Sequence, residues 1–296
     1  MSTSTAATSP DGDYVLTLSC PDTPGIVYSV TKFLFEHDCN IIESQQFGNP
    51  TSGTFFMRVQ FAPHHRTRRS LTIEQLRVEF TGLAAALSMS WRLTTSAVKQ
   101  RVLIMVSKFG HCLNDLLYRS SIGSLNIEVS AVVSNHPDLG FLADNFDIPF
   151  HHVPVTPETK PDAEAKLLTL VEEFDIDLVV LARYMQILSP DLCERLAGRA
   201  INIHHSMLPS FKGARPYHQA HARGVKVVGA TAHYVTTDLD EGPIIEQEVA
   251  RVNHSMSAED VTALGRDTES LALARAVQKH TQNRVLLDGK CTVVFT

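Results

Sequence analysis

The residue types best suited to chemistry lie between Ala200 and Gln247, in the stretch AINIHHSMLPSFKGARPYHQAHARGVKVVGATAHYVTTDLDEGPIIEQ. A short strand ends in Asn202, Ile203 and His204, and alternation along a strand turns Asn202 and His204 to one face. A second strand over Val227 to Val235 puts Thr231, His233 and Val235 on a common face, and an acidic turn follows from Asp238 through Asp240 to Gly242. Asn, His and Asp at neighbouring strand ends supply a hydrogen-bond donor, a titratable imidazole and a carboxylate to tune it. That set suits work on a carbonyl group. Capping the sheet is the simpler role for any one of them. Three complementary groups around a Pro/Gly-rich loop shift the balance toward a site.

Other chemistries are less well supported. His204, His233 and Asp240 have the types of a three-ligand zinc site, and His218 and His221 have helical spacing. No HExxH is present, and the neighbouring His151 and His152 read as solvated, so the expected site holds no metal. There is no Gly-x-Ser-x-Gly elbow, and Ser206 reads as a hydroxyl capping its loop rather than a nucleophile. The turn Ser107 to His111 has one glycine and a lysine, neither GxGxxG nor a Walker loop, which argues against nucleotide binding. Gly110 is expected only to let a strand turn into a helix, with Lys108 or His111 as weaker candidates for a substrate contact.

Two groups of elements must position these residues. From Asp13 to Ser96 the order is βαββαβ: strands at Tyr14–Cys20, Asn40–Phe47, Thr54–Phe61 and Met89–Thr95, and helices near Ile26–His37 and Ile73–Leu87. Split βαβ units of this kind give a four-stranded antiparallel sheet with two helices on one face, a ferredoxin-like arrangement. From Arg101 the strands become continuous apolar runs, Val102–Val106, Ile127–Val133, Leu178–Leu181 and Ala200–Ile203, as in a buried parallel sheet. Helices alternate with them, so the second part reads as a doubly wound α/β sheet with ligands at the carboxyl ends of its strands, where Asn202 and His204 sit. A strand over Glu246–Val252, a helix over Ser257–His280 capped by Ser257, and a closing hairpin of Val285–Leu287 and Thr292–Phe295 finish the chain. The expected divisions are a disordered tail over 1–12, a first domain over 13–96 and a second over 101–296.

Composition sets the outer bounds. The 296 residues are 44% apolar with net charge −6, leaving no electrostatic footprint for nucleic acid or an anionic membrane. The basic run His64 to Arg69 reads as a solvated linker, and the polar opening has no apolar core of a signal peptide. Five cysteines without a CxxC pattern point to reduced thiols and a cytoplasmic location.

Two resemblances follow from these residues. The run Ser19 to Ile26, Ser-Cys-Pro-Asp-Thr-Pro-Gly-Ile, ahead of a helix resembles the ACT family of small regulatory domains. Its members pair with copies of themselves and often bind amino acids near this turn. The resemblance implies Asp22 and Gly25 as contacts for an amino-acid effector, with a packing or dimerisation module as the open alternative. Asn202-x-His204, Leu208 to Gly213, and His233 to Asp240 with Gly242-Pro243-Ile244 together resemble the formyltransferase family, which handles 10-formyltetrahydrofolate with an Asn-His-Asp set. The runs Lys108–Leu117, Val133–Pro137, Ala182–Ser189 and Gly213–His218 extend the likeness to the branch of that family that carries an ACT-like N-terminus.

Transferases of the family that act on glycinamide ribonucleotide have a Gly/Ser-rich phosphate loop where this chain has Lys108-Phe109-Gly110-His111. The resemblance therefore implies water as formyl acceptor, giving tetrahydrofolate and formate. It implies that Asn202 donates to the formyl oxygen, that His204 polarises this oxygen or shuttles the proton, and that Asp240 orients water or tunes the imidazole, with His233 behind them. Met185, Ile187 and Leu188 would line an apolar slot for the pterin, whose polar edge would meet backbone from Val235 through Asp238 to Asp240. The folate is substrate, so no cofactor is implied. Transfer to an amine acceptor and a non-catalytic folate or amino-acid sensor are the alternatives. A homo-oligomer, through an exposed sheet edge, and a role in supplying formate for purine synthesis complete the expectations.

Overall fold

The computed structural model describes residues 13–64, 72–209 and 216–296. The polar tail, most of the basic run and residues 210–215, which include part of the Leu208–Gly213 motif, lie outside the described residues. Two compact units are present, Met1–Val98 with Gln282–Thr296, and Lys99–Thr281.

The first unit contains β1 (Tyr14–Pro21), α1 (Ile26–Glu36), β2 (Cys39–Asn49), β3 (Thr54–Pro63), α2 (Ile73–Ala86) and β4 (Ser90–Thr95). Its sheet is antiparallel in the order β2-β3-β1-β4. The period-2 set Leu16, Leu18, Met57 and Val59 packs on the helical set Ile26, Val30, Leu34, Leu76 and Phe80 to form one apolar core. Gly25 opens α1 at φ 94, a left-handed conformation that only glycine adopts without strain, and the side chain of Thr72 caps α2 with Gln75 reciprocating.

The second unit contains β5 (Gln100–Val106), α3 (His111–Ser121), β6 (Ile127–Ser134), α4 (Gly140–Asp144), β7 (Phe150–His152), α5 (Lys160–Glu173), β8 (Leu178–Leu181), α6 (Pro190–Arg195), β9 (Ala200–His204), α7 (Pro216–Ala222), β10 (Val227–Tyr234), β11 (Ile244–Arg251) and α8 (Ala258–Thr281). The sheet order is β11-β10-β9-β8-β5-β6-β7. Strands β7, β6, β5, β8 and β9 run parallel, and β10 and β11 are antiparallel additions. Leu103, Met105, Val179, Leu181 and Ala200 face a core that includes Leu167 and Leu170 of α5 and Leu192 of α6. The alternate residues Val102, Ile104 and Val106 are equally buried on the opposite face.

Two expectations change here. His152 is exposed on the edge strand β7, as a solvated histidine would be, but His151 turns inward; its ring lies 5.7 Å from that of Phe174, and its Nε2 is buried. A three-residue strand is too short to leave a readable period. The closing hairpin, β12 (Val285–Asp288) with β13 (Cys291–Val294), lies in the first unit rather than the second. Arg284 Nη2 lies 3.0 Å from Glu43 Oε2, and Asn49 Nδ2 donates to Asp288 Oδ2 at 2.6 Å, so the chain's last segment returns to the first sheet.

Candidate active site

Ala200, Asn202 and His204 alternate with Ile201 and Ile203 along β9, so the face that is apolar core at Ala200 becomes polar at the carboxyl end. Strand β10 pairs antiparallel with β9, with His233 opposite Asn202 and Thr231 opposite His204. Directly opposed residues share a face, so the polar side chains of both strands project together. The Asn202 amide reaches His233 Nε2 at 3.2 Å. His233 Nδ1 faces the Tyr234 carbonyl at 2.8 Å and so carries a proton; in the neutral ring Nε2 is then an acceptor for Asn202 Nδ2–H. The buried Thr231 hydroxyl donates to the Ser206 carbonyl and accepts from the Leu208 N–H, holding the chain leaving β9.

Asp240 arrives from the loop between β10 and β11. The loop returns tightly, with Tyr234 N–H bonded to the Pro243 carbonyl at 2.9 Å. A Cβ at Gly242 would lie 1.7 Å from the Tyr234 carbonyl oxygen, so only glycine fits that approach. Asp240 itself has φ 57, a left-handed conformation uncommon outside glycine and recurrent at functional sites. Its Oδ2 lies 3.2 Å from His204 Nδ1 and its Oδ1 lies 3.7 Å from His233 Nε2, the latter too long for a hydrogen bond. Burial opposes ionisation of this carboxyl. The His204 contact at 3.2 Å and the electrostatic influence of the two neighbouring imidazoles outweigh burial and hold Asp240 well below the usual carboxylate range. With Nδ1 of His204 on Asp240, Nε2 is left buried without a protein partner.

Asn202, His204, His233 and Asp240 line one cavity of about 330 Å³ at the carboxyl edge of the sheet. Met185, Ile187, Leu188, Val235 and Asp238 line it as well. Met185 and Ile187 expose 53% and 61% of their surface, and Leu188 is buried beneath them. The Ser107 hydroxyl donates to Asn135 Oδ1 at 2.6 Å and accepts the Met185 N–H at 3.0 Å, which ties this loop to the ends of β5 and β6.

The remaining sequence candidates fall elsewhere. Asp22 and Gly25 are exposed at the turn between β1 and α1 in the first unit, with the Asp22 carboxylate over Gly48. Ser206 lines a smaller pocket with Tyr217. His221 Nε2 lies 3.0 Å from the Met256 carbonyl, while His218 is exposed. Gly110 has φ −94, which any residue adopts; a Cβ there would come within 3.1 Å of Leu139 and Leu142, so close packing explains this glycine rather than turn geometry. His111 faces inward to Glu269 at 2.7 Å.

Arg183, Glu269 and Tyr217 were not singled out by the sequence reading. Glu269 is 1% exposed, accepts from the Tyr217 hydroxyl at 2.8 Å and lies 3.4 Å from Arg183 Nε, while Arg183 lines the cavity. A signal was present in α8, where Glu269 falls in register with the buried Gly265, Ala272, Leu273 and Ala276. A charge on a core-facing helical stripe calls for a buried partner.

A doubly wound sheet with polar side chains at its carboxyl edge shares this chain with a ferredoxin-like unit, and comparison with known proteins places the chain in the formyl-transfer class. The formyl transferase family matches residues 100–277, and the ACT domain family matches residues 13–94. A formyltetrahydrofolate deformylase of Corynebacterium sp. strain P-1 is 52% identical over 95% of this chain and 98% of its own. The crystal structure of a formyltetrahydrofolate deformylase from Burkholderia mallei superposes with TM-score 0.91 at 50% identity, over 96% of this chain and all of that one. A glycinamide ribonucleotide transformylase from Symbiobacterium toebii matches at 28% identity and TM-score 0.62, over 67% of this chain and 95% of its own. The chain therefore belongs to the formyl transferase family and, within it, to the formyltetrahydrofolate deformylases with an N-terminal ACT domain.

Proposed function

We propose that the chain is a hydrolase that cleaves 10-formyltetrahydrofolate to tetrahydrofolate and formate, and that Asn202, His204 and Asp240 carry the reaction. The observation that bears most weight is the His204 ring. Asp240 engages Nδ1, and Nε2 is buried and unpartnered in a ring that lines the cavity. An imidazole fixed at one nitrogen by a carboxylate and open at the other is arranged to move a proton. In the proposed step Nε2 takes a proton from water as the water oxygen bonds to the formyl carbon. The C–N10 bond then breaks, N10 receives that proton, and the formic acid formed loses the second water proton to solvent and leaves as formate. Asn202, its amide set by His233, donates its second N–H to the formyl oxygen as that atom gains charge. Asp240, held ionised, balances the imidazolium formed on the way.

Met185 and Ile187, apolar and exposed, and the buried Leu188 suit the flat pterin, with backbone from Val235 to Asp240 for its polar edge. No metal or cofactor is needed for this chemistry. We further read the protein as cytoplasmic, homo-oligomeric and a source of formate for purine synthesis, with Asp22 and Gly25 at the ACT turn as the place for an amino-acid effector. Purified protein given 10-formyltetrahydrofolate and no amine should release formate at a rate that EDTA leaves unchanged. Turnover only after an amine is added would make it a transferase instead, and folate binding without turnover would make it a sensor.

A further inference from the structure

One wall of the cavity has no part in the step above. Arg183 follows Leu181, the register partner of Asn202, by two residues and lines the same cavity. Its side chain is 11% exposed and its backbone sits at φ 65. Left-handed backbone at a non-glycine residue that is itself nearly buried is a costly placement, and such placements gather where a side chain must be aimed. Nε and Nη1 are buried and make no hydrogen bond. The charge partner is Glu269, 3.4 Å from Nε, but Glu269 already engages His111 through Oε2 at 2.7 Å and accepts the Tyr217 hydroxyl on Oε1 at 2.8 Å. The Phe109 ring supports the guanidinium, its centroid 5.6 Å from the Arg183 central carbon. The guanidinium is thus held in place by charge and by stacking while Nε and Nη1 remain without an acceptor.

His111, Cys112 and Glu269 bring three donor atoms within 4.8 Å of one another, the one such cluster among the described residues, which would suit a cation. The Arg183 cation, His111 and the Tyr217 hydroxyl already occupy the Glu269 oxygens, so a second cation has no free carboxylate there, whereas Arg183 Nη1 still has no acceptor. A planar guanidinium fork matches a carboxylate, with two parallel N–H···O bonds.

We propose that Arg183 is a carboxylate subsite of the cavity that takes up formate, the anion made when water cleaves the formamide; the assignment rests on the hydrolytic reading above. Atoms and charge balance. Water supplies one oxygen of formate, N10 keeps one proton, and the other is released to solvent, so the new negative charge belongs to the carboxylate that Arg183 receives. The same guanidinium disfavours a protonated amine in that wall, which favours water as acceptor.

The test is direct binding of ¹³C-formate to the full-length protein by NMR line broadening, together with formate inhibition of turnover. Wild type should bind formate and be inhibited by it. Arg183→Gln should weaken both by about tenfold or more, the loss of one charge-assisted pair, and Arg183→Lys should keep part of the affinity. Because Arg183→Gln leaves Glu269 buried without its cation, the double variant Arg183→Gln with Glu269→Gln serves as a neutral control for folding and should show the same loss. Equal formate affinity in wild type and in the folded double variant overturns the subsite, as does no formate binding to wild type. Arg183-dependent formate binding by a protein that releases none from 10-formyltetrahydrofolate supports the subsite and sinks the hydrolytic reading instead.

Discussion

Of two histidine–carboxylate pairs in the Lys99–Thr281 unit, His111–Glu269 and His204–Asp240, the tighter one is the less available for chemistry. His111 and Glu269 meet at 2.7 Å, His204 and Asp240 at 3.2 Å. At both carboxyls burial opposes ionisation and is outweighed. For Glu269 the opposing contributions are the His111 hydrogen bond and the charges of Arg183 and His111; for Asp240 they are the two imidazoles. Glu269 has partners on both oxygens and 1% exposure, whereas the Asp240 pair opens on the cavity and leaves His204 Nε2 without a protein partner. A depressed carboxyl therefore does not single out a candidate catalytic group by itself; an unpartnered nitrogen on its partner is the further sign that separates the two pairs.

The comparison breaks most sharply at Asp240. Asp240→Asn should lower kcat by about a thousandfold, within the range of a lost acid–base function, with a melting temperature closer to wild type than that of Glu269→Gln. A small loss of rate, or a loss matched by Glu269→Gln, would erase the distinction between the pairs. Asn202→Ala should cost about a hundredfold or more in kcat with a lesser change in KM, since its amide is asked to act on charge that develops only in the transition state. An effect confined to KM would make Asn202 a binding residue.

The open pair was also the one legible in sequence, for a physical reason. Asn202 and His204 show themselves through a two-residue period at the end of an apolar run, and His233 through the same period in the next strand. Local rules carry that far. Asp240 was reached from a turn composition, but its left-handed backbone and the glycine-only return at Gly242 depend on β10 and β11 lying side by side. Arg183 and Glu269 were passed over because their partners come from a strand end and a helix far apart in the chain. The hairpin of β12 and β13 joins the first unit for the same cause, since its ties to Glu43 and Asn49 are long-range and leave no local signal. The sheet order itself was anticipated only as parallel in kind.

The closed pair should show its importance in stability. Glu269→Gln leaves Arg183 buried without its counter-charge, a loss on the order of 3 kcal/mol. Read by differential scanning calorimetry, that is a fall of about 6–12 °C in Tm for a unit of this size. A Tm within a degree of wild type would mean that His111, Tyr217 and Arg183 do not depend on this carboxylate.

The smallest effect separates the pairs by pH. A carboxyl held below its unfolded value contributes stability that is complete above the unfolded pKa, about 3.9 for Asp, and is lost as pH falls through the folded value. Wild-type protein should therefore lose stability on acidification below about pH 4, in part by proton uptake at Asp240 on unfolding. Urea unfolding of Asp240→Asn should run parallel to wild type from pH 7 to about pH 5 and then fall less steeply, by up to about one proton, because the amide has nothing to titrate. Coincident slopes down to about pH 3 would show that the two imidazoles do not hold Asp240 in its charged form, and the pairing that leaves His204 Nε2 without a partner would lose its electrostatic cause.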